Sequence, residues 1–139
     1  MRSQRPFRRE IHVPRPRRIR SLQGISFGWI DADLFRRGWL PLLSPEDLAL
    51  YTFLCLVADR KGVSFYRRCR IAKEIGLDEV DLSLRIRRLC DLDLLGYLPF
   101  HPGAPDGFLQ VLSLPGGGPP PSLSLGVLLS RAPLTKEPE

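Results

Sequence analysis

Residues 71–100 read IAKEIGLDEVDLSLRIRRLCDLDLLGYLPF, and the spacing of their apolar side chains decides the fold. Ile71, Ala72 and Ile75 recur at helical spacing and stop at Gly76, a residue able to take the left-handed backbone of a tight turn. Asp78 then stands where an N-cap belongs, with Asp81 three residues on. Leu82, Ile86, Leu89 and Cys90 follow at i, i+4, i+7 and i+8, a stripe that predicts a second helix with one face in the core. LLGYLPF and FLQVLSL read as two short strands. The HPGAPDG between them carries Pro102, Gly103, Pro105, Asp106 and Gly107, which make a turn-rich tip.

Upstream, VSFY at 63–66 reads as a short strand and RRCRIAKEIG as the first helix of the pair. SPED at 44–47 is a strong helix start: Ser44 as N-cap, Pro45 at the first helical position, and two acids on the positive end of the helix dipole. That helix should run to about Asp59. Leu48, Leu50, Tyr51, Phe53, Leu54, Cys55, Leu56, Val57 and Ala58 leave it almost no polar face, so several neighbours must cover it. The Trp29 to Leu43 segment and the helix pair are the natural covers, and a dimer interface is a third. Before it, FGWI at 27–30 is expected to be a short strand. Asp31 is expected to cap a brief helix through Leu34 and Phe35 that ends at Gly38, with Trp39, Leu40, Leu42 and Leu43 as anchors. The expected order is helix, strand, helix, turn, helix, strand, loop, strand: a mainly α chain with a small β-hairpin, α+β in class.

ADRKG, then SF, then RIAKEIGLDEVDLSLRIRRLCDLDLL resembles the winged helix-turn-helix domain of bacterial plasmid replication initiators and related mobile-element and regulator proteins. The resemblance covers about residues 27–114, with Ile71, Ala72, Gly76, Leu82, Ile86, Leu89, Leu94 and Leu95 at the family's core and turn positions. The family usually has a Pro-Ser helix start where this chain has Tyr66-Arg67, and a Gly where it has Asp93. The resemblance implies that the helix after Asp78 enters the DNA groove, presenting Glu79, Val80, Ser83, Leu84 and Arg87. That set is poor for base readout, which favours Arg, Lys, Asn and Gln. Val80 and Leu84, one turn apart, suit a protein partner or a thymine methyl.

The net charge of +6 is unevenly spread. Residues 1–22 hold eight arginines (Arg2, Arg5, Arg8, Arg9, Arg15, Arg17, Arg18 and Arg20) against Glu10, a net of +7, while the rest holds 13 basic and 14 acidic residues. Residues 1–24 are polar, basic and interrupted by Pro6, Pro14 and Pro16, and are expected to form a disordered basic arm. The winged-helix domain is expected over 25–114, and a Gly/Pro-rich flexible tail over 115–139, with LSLGVLLS as its one apolar patch. Within the body, Arg67, Arg68 and Arg70 crowd the start of a helix, where cations oppose the dipole and no N-cap side chain stands. A bound phosphate would reverse that cost. With Arg60, Lys61 and Lys73 they are expected to form one phosphate-binding edge.

Several classes are disfavoured. No GxxxxGK[ST], HExxH or GxSxG motif is present, so an enzyme, a cofactor or a small-molecule substrate is not expected. Cys55, Cys69 and Cys90 are odd in number, and with His12 and His101 they match no zinc spacing, so neither a disulfide framework nor a metal site is expected. No apolar run approaches the ~18 residues of a membrane span. The expectation is a cytoplasmic, nucleoid-associated protein that binds DNA through phosphates with modest specificity, as a transcription regulator or a replication or transposition accessory. The alternative is a winged-helix interaction module in a larger nucleoprotein assembly, with a protein partner or a second copy.

Overall fold

A computed structural model describes residues 9–116 and 120. Helix α1 spans Asp33–Arg36, α2 Pro45–Val57, α3 Arg68–Ile75 and α4 Glu79–Asp91. Strands β1 (Val63–Ser64), β2 (Leu95–Pro99) and β3 (Gly107–Val111) form an antiparallel sheet in the order β1-β3-β2. The class is α+β, and from α2 onward the element order is the expected one. No helix among the described residues is long and apolar enough to cross a membrane.

Local chemistry sets the helix ends. Ser44 and Asp47 form a reciprocal capping box at the start of α2. Gly76 closes α3 at φ +75°, and Asp78 caps α4 by accepting from the Asp81 N–H at 2.7 Å. Leu92 ends α4, and Asp93 next to it has φ +63°, a left-handed position that glycine fills at no steric cost. Asp is among the few other residues that tolerate this region.

The core lies between the helices and one face of the sheet. Leu50, Tyr51 and Leu54 of α2 are buried with Ile71 and Ala72 of α3, Leu82, Ile86 and Leu89 of α4, and Leu95 and Leu109 of the sheet. Each buried leucine or isoleucine contributes on the order of 2–5 kcal/mol against alanine. Helix α2 is contacted by α3, α4, β1 and β3, the cover its apolar sequence requires, though Leu56 remains exposed. Trp39 and Leu43 are buried as expected, whereas Leu40 is exposed.

Two expectations are corrected. FGWI is not a strand: residues 27–30 have no ladder partner and cross the end of α2 instead. Gly28 lies so close that a Cβ there would sit 2.4 Å from the Cys55 carbonyl oxygen, while Trp29 is 77% exposed. The apolar pattern favours a strand, but the close approach to the backbone of α2 at Cys55 and Leu56 holds this segment against a helix. VSFY, likewise, is strand only at Val63–Ser64.

Burial also fixes the thiols. It pushes the Cys55 thiol up to about 11, and burial, with Cys55 beside it, pushes the Tyr51 hydroxyl up to about 12. Folding therefore favours their protonated forms. The stability this contributes is whole below the ordinary cysteine value of 9.0 and fades as pH rises through about 11, which melts at increasing pH would register. At neutral pH a thiol reagent is expected to label the exposed Cys69 well before the buried Cys55, as mass spectrometry of timed aliquots would reveal.

Candidate nucleic-acid interface

Helix α3 starts with a charge problem. Arg67 is its N-cap residue, Arg68 and Arg70 lie in its first turn, and none of its own side chains caps it. The cap comes from 38 residues away: Asp106, in the β2–β3 connection, accepts from the Arg68 backbone N–H at 2.9 Å. The anion position at this helix start, expected to receive a phosphate, already holds a carboxylate. The β2–β3 connection passes the start of α3, so its one acid reaches the helix before any ligand must. Replacing Asp106 with alanine is expected to cost about 1 kcal/mol in a thermal melt, the ordinary worth of an N-cap.

Arg68 is drawn into the fold by the same contact. Its Nη1 donates to Ser83 Oγ on α4 at 2.8 Å, and its guanidinium lies over the Tyr97 ring at 5.4 Å. It joins α3, α4 and β2 as a structural tie. Arg70 donates to Glu74 at 2.9 Å and lies over Tyr66 at 5.3 Å, with its guanidinium still on the surface. Arg67 and Lys73 are exposed on the same helix.

The expected six-cation edge is divided by the sheet. The Lys61 carbonyl accepts from Gln110 at one end of β3, whereas Arg68 meets Asp106 just beyond the other end. Four residues of extended chain separate those anchors by roughly 13 Å. Arg60 and Lys61 instead line a cavity of about 250 Å3, together with Trp29, Tyr51, Cys55 and Leu112. Arg60, Lys61, Arg67, Arg68, Arg70 and Lys73 are therefore two groups, since β1 and the residues after it run away from the 59–62 turn.

On α4, Val80 is 75% and Leu84 38% exposed, with Glu79 exposed beside them. Ser83 and Arg87 are half-buried, and the Ser83 hydroxyl is engaged by Arg68. Of the arm, Arg2, Arg5 and Arg8 lie outside the described residues. Arg9, Arg15, Arg17, Arg18 and Arg20 are exposed, with a short 3-10 turn at Pro16–Arg18. LSLGVLLS also lies outside the described residues.

Sequence reasoning missed one cluster that shapes the surface. Asp47 is fully buried. It accepts from Arg85 Nη1 at 3.0 Å, Arg88 Nε at 3.0 Å and the Ser44 N–H at 2.9 Å, while Arg88 Nη2 donates to the Leu42 carbonyl at 2.6 Å. The available signal was faint: two arginines three residues apart, flanking the core stripe of α4. Their engagement removes both from the pool of ligand-binding cations. Among the described residues, no group of three His, Cys, Asp or Glu side chains is placed to hold a metal. No family model, curated protein or solved structure matches this chain.

Proposed function

We propose that this chain is a winged helix-turn-helix protein that binds duplex DNA, with α3 and α4 as the helix pair and the β2–β3 hairpin as the wing. The supporting observation is the stripe Arg67, Arg70 and Lys73, exposed at successive three-residue steps on α3. Arg67 and Arg70 stand at the start of α3, where a cation costs a few tenths of a kcal/mol and a row of phosphates would reverse that cost, and Lys73 in its last turn extends the row. The exposed arginines of residues 9–20 add charge that needs no fixed geometry. Base readout is thin, because Asp106 faces back into the fold and α4 offers Val80, Leu84 and Glu79. The protein therefore anchors on phosphates with modest discrimination between sequences.

The test is a salt titration of the full chain against random duplex DNA, followed by fluorescence anisotropy. Six or more phosphate contacts correspond to a log–log slope steeper than about −5. Absence of binding at low salt sinks the reading. One observation favours a second reading: Val80 and Leu84 form an apolar pair on the helix that would enter the groove. In an interaction module these would bind protein, and Leu84→Glu would abolish partner capture while leaving DNA retention nearly intact.

A further inference from the structure

We propose that the outer face of the three-stranded sheet is a stacking platform for the bases of an unpaired DNA strand. The pairing of Leu98 with Phe108 and of Ser64 with Leu109 sorts the side chains by face. Ser64 and Leu109 point into the core, so Phe108 and Leu98 occupy the opposite face, where Phe65, just past β1, meets Phe108. Phe65 is 68% exposed, Phe108 39% and Phe100 40%. The three rings meet edge to face, with centroids 6.3 Å apart for Phe65 and Phe108 and 5.0 Å for Phe100 and Phe108. Three phenylalanines left this open forgo much of the burial that would reward them, which the folding of one chain does not explain.

The neighbouring charge names the occupant. Phe65 lies two residues before Arg67, and the Phe100 N–H donates to the carbonyl of Asp106, whose carboxylate holds the start of α3. The rings thus share one end of the protein with the cations of α3. Aromatic surface beside a cationic edge is the combination that holds a single strand, bases on rings and phosphates on arginine. Phenylalanine has no hydrogen-bonding group, so the platform is tolerant of base identity and reads no 2′-hydroxyl. The choice of DNA over RNA rests on the function proposed above; the platform itself rests on the rings.

The full chain is titrated with a labelled oligothymidylate about a dozen nucleotides long and, separately, with a random duplex, using anisotropy at one salt concentration. Phe65→Ala, at the most exposed ring, is expected to weaken oligothymidylate binding about tenfold while changing duplex binding less than about twofold. Phe108→Leu, which keeps the bulk and removes the ring, is expected to act in the same direction, and thermal melts confirm that both variants fold. Equal weakening of both DNA forms overturns the platform, as does a dimer that Phe65→Ala dissolves in sedimentation. An oligouridylate bound about tenfold tighter than the oligothymidylate overturns the assignment to DNA. A duplex bound without any single strand sinks the platform and leaves the proposed function standing; binding of neither removes both.

Discussion

Replacing Asp47 with alanine is expected to lower the unfolding free energy by about 3 kcal/mol, the low end of what breaking a buried ion pair costs. The carboxylate is fully buried, and its loss leaves the Ser44 N–H unpaired and takes the buried partner from two guanidiniums, which keep only the Leu42 carbonyl for Arg88 and Asp81 and Ser44 for Arg85. Arg85 and Arg88 retain 22% and 31% side-chain exposure, so part of their hydration returns, which keeps the effect from the upper end of the range. Urea denaturation monitored by circular dichroism checks it, with Glu46→Ala as control. Glu46 is exposed in the same helical turn, and its replacement is expected to stay within about 0.5 kcal/mol. An Asp47→Ala cost no larger than the control's would show that the cluster does not hold α2 against α4.

Simultaneous replacement of Arg67, Arg70 and Lys73 with alanine is expected to weaken duplex binding roughly a hundredfold at about 0.1 M salt and to flatten the salt slope by nearly 3, about 0.9 for each phosphate left without its cation. The same variant should melt close to the parent temperature, because relief of the dipole at Arg67 and Arg70 is offset by loss of the Arg70–Glu74 pair and of Lys73 from the last turn of α3. Binding then falls while stability holds, which unfolding cannot imitate. Arg68 is left in place because its contacts with Ser83 and Tyr97 make it part of the fold. A double variant at Arg60 and Lys61 is the comparison. It lies at the far end of β3, and its loss in affinity is expected to be less than about threefold at the same salt concentration. Equal losses from the two variants would refute the α3 stripe as the principal contact.

Much of the architecture is legible from near neighbours. Ser44-Pro45, Gly76 and Asp78 mark helix ends within one turn of themselves, and the Leu82, Ile86 and Leu89 stripe needs only the helical period to declare its buried face. The hairpin follows in the same way from two apolar runs around a Pro/Gly-rich tip. FGWI misleads because a strand requires a partner edge, and whether one lies within reach is not a local property. The candidate interface was harder to read, since its residues were identified as charges and not as contacts.

Periodicity, capping residues and the concentration of arginine in residues 1–22 were settled by the chain itself, because each depends on residues a few positions apart. Which cations stay on the surface was settled only in three dimensions. The Arg68 guanidinium meets Ser83 across 15 residues, and Asp47 takes up Arg85 and Arg88 across 38 and 41. Each of these groups has many eligible partners in a string of letters. The packing of α2 on α4 and the approach of the β2–β3 connection to the start of α3 select one, while Arg67, Arg70 and Lys73 stay at the surface.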